Sequence, residues 1–226
     1  MLLWPSSVRE LWLAFGREPP QNERLVPDNI LNGRNFDLFS VRLRDISQQL
    51  TTLNLTAVIG RKLFWPLEAE ESSSTSLPYW PNLTKYTLSL SATTPAGIWT
   101  FEENPLEKDD EPYVFEEHWH DLPEHLRPPF EDRNTIYFRT KATPGLLRDF
   151  YVSAGHAAQR MPRLQHMQLR SGTRRAIHDF RYIVDDNSVS ATWGDTVSLE
   201  PEEDVLQVWR DAAFQHTGVE NAIQLR

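Results

Sequence analysis

The residues best suited to chemistry are His118-Trp119-His120-Asp121, with His125 close behind. Two imidazoles one residue apart project to the same side of an extended strand and can share one metal ion. A fuller His-x-His-x-Asp-His arrangement needs more: here Asp121 follows the second histidine directly, and Pro123-Glu124 stands where an Asp-His pair belongs. A metal or acid–base site near His118 and His120 is therefore kept only as an alternative to a non-catalytic reading. Ser153-Ala154-Gly155-His156 lacks the leading glycine of a nucleophile elbow and falls within a helical pattern. The nine glycines are scattered, with no phosphate-cradling loop and no dinucleotide fingerprint. Acidic residues are plentiful, but no spacing sets two carboxylates across a cleft. The sequence thus assigns no catalytic residue, no metal ligand and no cofactor.

The elements that would position any site are marked by a recurring pattern: apolar, two residues, apolar, one residue, apolar. It reads Val8/Leu11/Leu13, Leu50/Leu53/Leu55, Leu83/Tyr86/Leu88 and Leu164/Met167/Leu169. With 39% apolar residues, such triplets fall by chance at roughly 6% of positions, so the flanks matter. Proline precedes three copies, at Trp4-Pro5, Trp80-Pro81 and Met161-Pro162, and proline marks the end of a helix or the entry to a strand. Helical spacing precedes two copies, over Asp37–Gln49 and Gly145–Arg160. Helix, turn and strand together predict an α/β fold, an irregular leucine-rich-repeat-like solenoid. The spacings of 42, 33 and 81 residues are uneven, and the last demands an insertion. After the fourth copy, Phe180, Tyr182 and Val184 alternate, Asp185-Asp186-Asn187 turns the chain, and Val189, Ala191 and Trp193 alternate on return. That predicts a β-hairpin. Glu200-Pro201-Glu202-Glu203 then opens a helix with Val205, Val208, Trp209 and Ala212 on one stripe, ending near Gly218. Hairpin and helix are expected to cap the solenoid.

One domain is expected over residues 1–226: repeats over 1–66, a polar linker over 67–77, and the remaining repeats over 78–218. The last part includes an acidic, proline-rich insertion over 102–132. The net charge is −9, which argues against nucleic acid as a partner, since phosphate binding needs a basic face. The cluster Arg160, Arg163, Arg170, Arg174 and Arg175 reads as a solvated face. No apolar run suits a membrane span or a signal peptide. The absence of cysteine removes a disulfide framework and thiolate chemistry, consistent with a cytoplasmic or nuclear protein. What remains is a non-catalytic protein-binding module, with a stand-alone structural or pathway-associated protein as a further alternative. Strand residues between the apolar positions point away from the core, which nominates Trp12, Thr52, Asn54, Thr87 and Gln168 as partner contacts, with Trp12 as the aromatic anchor.

Tyr79-Trp80-Pro81-Asn82-Leu83 through Pro95-Ala96-Gly97-Ile98-Trp99-Thr100-Phe101-Glu102 resembles a segment of fungal F-box-type proteins with a C-terminal leucine-rich-repeat-like domain. Phe138-Arg139-Thr140, Met161-Pro162-Arg163-Leu164, the hairpin and the Trp209 helix extend the similarity over about residues 77–218. The resemblance implies the substrate-recognition part of a ubiquitin-ligase receptor, in which an F-box binds the adaptor of a cullin ligase. The F-box itself is not seen. Leu25-Val26-Pro27-Asp28-Asn29-Ile30-Leu31 imitates its start but lies between two strands with too little helix after it. An adaptor partner is thus expected only if an F-box is supplied.

Overall fold

A computed structural model describes residues 5, 7–34, 36–66, 77–104, 113–115, 123, 135–185, 188–195, 200–220 and 222–225. Each of its helices opens on a different local signal. Helix α1 (Leu38–Ser47) is capped by Asp37, whose carboxylate accepts from the Phe39 and Ser40 N–H groups at 2.9 and 3.1 Å. Helix α2 (Pro144–Ala158) opens on proline, whose missing N–H is no loss in a first turn. Helix α3 (Glu203–Thr217) places Glu203 and Asp204 at its positive end. It closes on Gly218 at φ 68°, whose N–H donates to the Phe214 carbonyl at 2.7 Å.

The strands are β1 (Glu10–Phe15), β2 (Thr52–Ala57), β3 (Lys85–Leu90), β4 (Phe101–Glu103), β5 (Tyr113–Phe115), β6 (Thr135–Tyr137), β7 (Arg139–Ala142), β8 (His166–Gly172), β9 (Ile177–Asp185), β10 (Ser188–Asp195) and β11 (Ile223–Leu225). Seven of them form one mixed sheet in the order β1-β2-β3-β8-β9-β10-β11. The first four run parallel, with Leu11, Leu53, Tyr86 and Met167 in one register row and Leu13, Leu55, Leu88 and Leu169 in the next. The recurring apolar pattern is therefore two rows of one sheet face, repeated because each strand fills the same two rows. β9 then pairs antiparallel with β8 and β10 with β9, setting Tyr182 and Phe180 into the same rows. β11 adds to β10 in parallel. Two small antiparallel ribbons, β4-β7 and β5-β6, are separate from this sheet.

The helices cover only the apolar face. Phe64, after a 3-10 turn at Arg61–Leu63, packs on Tyr86 at 5.3 Å between ring centroids and edge-on to Phe150 of α2 at 5.1 Å. Trp209 of α3 lies 4.5 Å from Phe180 and 4.9 Å from Tyr182. Each such aromatic contact adds about 0.5–1.5 kcal/mol beyond area burial. Helices α2 and α3 meet at Gly155, where a Cβ would come within 2.7 Å of Val208 Cγ1. Trp80, fully buried, donates its indole N–H to Ser47 Oγ at 2.7 Å and ties the entry of β3 to the end of α1. Glu23 is 2% exposed, and its carboxylate accepts from the Phe138 and Arg139 N–H groups at 2.7 and 2.6 Å. Burial pushes its pKa above the usual carboxylate value, partly offset by those N–H groups and the Arg139 charge.

This arrangement overturns the leucine-rich-repeat-like solenoid. In a solenoid each unit touches only its neighbours and adds one more like itself. Here the parallel run stops after four strands, and the sheet turns antiparallel. The hairpin does not cap an open end either. Phe180 and Tyr182 match the apolar rows of β8, so β9 and β10 widen the sheet. The C-terminal helix packs on α2 and against the same sheet face. Of the linker over 67–77, residues 67–76 lie outside the described residues, as does most of the 102–132 insertion. Within that insertion, β5 pairs antiparallel with β6.

Candidate functional site

Because side chains alternate along a strand, the rows between the apolar ones belong to the sheet's other face. Trp12, Asn54, Thr87 and Gln168 are register mates, one per strand across β1, β2, β3 and β8. At 4.7–4.9 Å between strands they make a line about 14 Å long, which Arg181 and Thr192 extend across β9 and β10. The fifth expected contact, Thr52, sits in the adjacent row with Glu10, Lys85, His166 and Ile183. A third row holds Ala14, Thr56, Ser89, Arg170 and Asp179. None of these residues is buried. Among the described residues, no helix covers this face.

Its chemistry is polar with one large apolar projection. Trp12 is 66% exposed, near the free edge of β1. Gln168 is held in place: its amide donates to Asp179 Oδ1 at 2.8 Å. Arg181 Nε donates to the other oxygen of the same carboxylate, also at 2.8 Å. Asp179 is thus occupied from two sides and pairs off the Arg181 charge, so the charges that project are chiefly Lys85 and Arg170, against Glu10 at the edge. His166 registers this field. Burial first, then the Lys85 and Arg181 charges, hold its pKa below the usual imidazole value, with Asp179 opposing. An anionic surface laid on this face would reverse the last two effects.

Sequence reasoning names Thr52 but not its register mates Lys85 and His166, although each stands directly before the middle apolar residue of its copy. It places Arg170, one position beyond the third apolar residue of its copy, only in a solvated basic cluster. Arg181 could not be found from the repeat pattern, because β9 joins this face only through the antiparallel pairing. His118 and His120 lie outside the described residues. Among the described residues no group of His, Cys, Asp and Glu is placed to hold a metal ion, and no helix is long and apolar enough to cross a membrane.

Residues 135–226 match a family of unknown function, DUF6546. That segment starts at β6 and includes α2, β8 to β11 and α3. It supplies His166, Gln168, Arg170, Asp179 and Arg181 to the exposed face, while Trp12, Asn54, Lys85 and Thr87 come from the chain before it. No curated protein and no solved structure matches this chain.

Proposed function

We propose that this chain is a non-catalytic protein-binding module whose contact surface is the uncovered face of the seven-stranded sheet. The observation that carries the reading is the line Trp12–Asn54–Thr87–Gln168, aligned across four strands, with Trp12 exposed and the other three half-buried. Six strands of about six residues span roughly 24 by 20 Å. That is about 500 Å² in projection, the scale of a smaller protein interface. A rigid sheet loses little entropy on docking, and an exposed indole at its edge is the type of anchor that dominates binding energy. Lys85 and Arg170 on a protein of net charge −9 favour a partner that is acidic where it meets the sheet. The finer assignment, substrate recognition for an F-box-type ubiquitin ligase, rests on the sequence resemblance.

The test is affinity purification of the tagged chain from its own cells, beside Trp12→Ala and Lys85→Glu variants. A partner recovered with the wild type should be lost with both, and its affinity for the purified chain should fall about tenfold or more on Trp12→Ala. Thermal unfolding of either variant should stay within about 0.5 kcal/mol of wild type, since both side chains are exposed. Equal recovery with wild type and variants would remove this face from consideration. A cullin and its adaptor among the recovered proteins would support the ligase reading, and a discrete partner without them would leave a stand-alone module.

A further inference from the structure

Strand β1 is an outer strand of the seven-stranded sheet and pairs on one side only, with β2. Its backbone groups divide by parity. The Arg9 carbonyl accepts from the Thr52 N–H at 3.2 Å, and alternate residues of a strand turn their N–H and C=O groups to opposite sides. Those of Leu11 and Leu13 therefore face β2, while those of Glu10, Trp12 and Ala14 face outward. Among the described residues, no strand pairs with that outward side.

Proteins blunt such an edge with proline, lysine, a bulge or a very short strand. The strand at the other side of the sheet, β11, is three residues long. β1 uses none of these devices: Glu10–Phe15 holds no proline and no lysine, and its register with β2 is unbroken from Glu10–Thr52 to Phe15–Ala57. Glu10 is its one charged residue. Trp12 is 66% and Phe15 68% exposed, and Phe15 rests on Phe39 of α1 with ring centroids 5.6 Å apart. Unpaired backbone beside exposed aromatic rings is complementary to another strand and to little else.

The strand also matches itself. A two-fold axis perpendicular to the sheet at Trp12 sets a second β1 antiparallel to the first. Trp12 then lies opposite Trp12 of the other copy, and Glu10 opposite Ala14. These are the residues whose groups face outward, so every one of them gains a partner in narrow, hydrogen-bonded pairs. The axis keeps the two sheet faces in place, and Leu11 meets Leu13 across the seam on the helix-covered side. The two Glu10 carboxylates fall about 14 Å apart, beyond the screening length of about 8–10 Å. No like charges are opposed.

We propose that β1 is the seam of a homodimer in which two copies join edge to edge into one continuous sheet. Both uncovered faces then lie on the same side, and the two Trp12 side chains stand together at its centre. The pairing does not depend on that face binding a partner. A seam of this length falls below the roughly 1,200 Å² of standard interfaces, so monomer and dimer exchange at micromolar concentrations. The test is sedimentation equilibrium of the full chain from about 1 to 300 µM, over which the mass should rise from one chain toward two. Ala14→Pro, which removes an outward N–H and spares the bonds to β2, should weaken association at least tenfold. Ala14→Glu sets a carboxylate opposite Glu10 of the other copy and should weaken it, whereas Ala14→Lys should tighten it, with about tenfold between the two. These two carry the test if the proline variant does not fold, since Ala14 is exposed. Lys85→Glu, a larger charge change on β3 away from the seam, should leave association within about twofold, which separates loss of the dimer from loss of a partner on the face. A monomer throughout the range would overturn the proposal, as would equal association of the Ala14→Glu and Ala14→Lys variants or a dimer indifferent to Ala14→Pro.

Discussion

His216, in the last turn of α3, carries its proton on Nε2, because that nitrogen faces the Met161 carbonyl at 3.0 Å and a carbonyl only accepts. Nδ1 is then free to accept from the Tyr182 hydroxyl at 2.8 Å. The imidazole joins α3, the end of α2 and β9 as a neutral group. Burial lowers its pKa below the usual 6.5, against opposing backbone contacts at Met161 and Ala158. A histidine with a depressed folded pKa contributes stability that is complete above pH 6.5 and is lost as the pH falls through the folded value. The urea midpoint should therefore drop between pH 7.5 and 5, and His216→Gln should flatten that dependence. Unchanged pH dependence in the variant would show that the proton is taken up elsewhere, with His166 the next group to examine since its shift has the same sign. No sequence pattern announces this histidine: it follows the apolar stripe of α3 by ordinary helical spacing, and its two partners are 34 and 55 residues away.

Among the elements, the α2–α3 contact is where packing and propensity compete most openly. Gly155 sits in the interior of α2, where glycine costs about 1 kcal/mol relative to alanine. A Cβ there would meet Val208 Cγ1 at 2.7 Å and Cγ2 at 3.0 Å, and overpacking costs about 1–3 kcal/mol. Gly155→Ala should therefore lower stability by about 1 kcal/mol in the wild type. In a Val208→Ala background the same change should raise it by about 1 kcal/mol, because only the propensity term is left. Matching signs in the two backgrounds would mean that the helices are not held apart by this pair. The helices themselves were legible in the chain: the spans Asp37–Gln49 and Gly145–Arg160 and the stop near Gly218 fall within two residues of the ends observed. The partners of each strand were not. Apolar alternation in β9 fits a cap as readily as a sheet strand, and only pairing with β8 decides between them.

For the molecule as a whole, the segment that matches a known family is not a self-sufficient unit. Residues 135–226 contain β8 but not its parallel neighbour β3, Phe150 but not Phe64, and the Phe138 and Arg139 N–H groups but not the Glu23 carboxylate that accepts from them. Expressed alone, that segment should show no cooperative thermal transition by near-ultraviolet circular dichroism, while the full chain melts in one step. A cooperative melt of the segment would make the first strands an accessory layer. The face proposed for partner binding divides the same way, so its outline was only half readable. Trp12, Asn54, Thr87 and Gln168 follow from the strand pattern, whereas their alignment into one line depends on pairings 33 to 81 residues apart. The longest of these, Thr87 with Gln168, has a consequence for how the chain is made. At about 5–20 residues per second, roughly 4–16 s of synthesis separate β3 from the strand that completes it. Any sheet that β1, β2 and β3 form within that interval has an open central edge, which is the stage at which a chaperone, or a wrong neighbour, would find it.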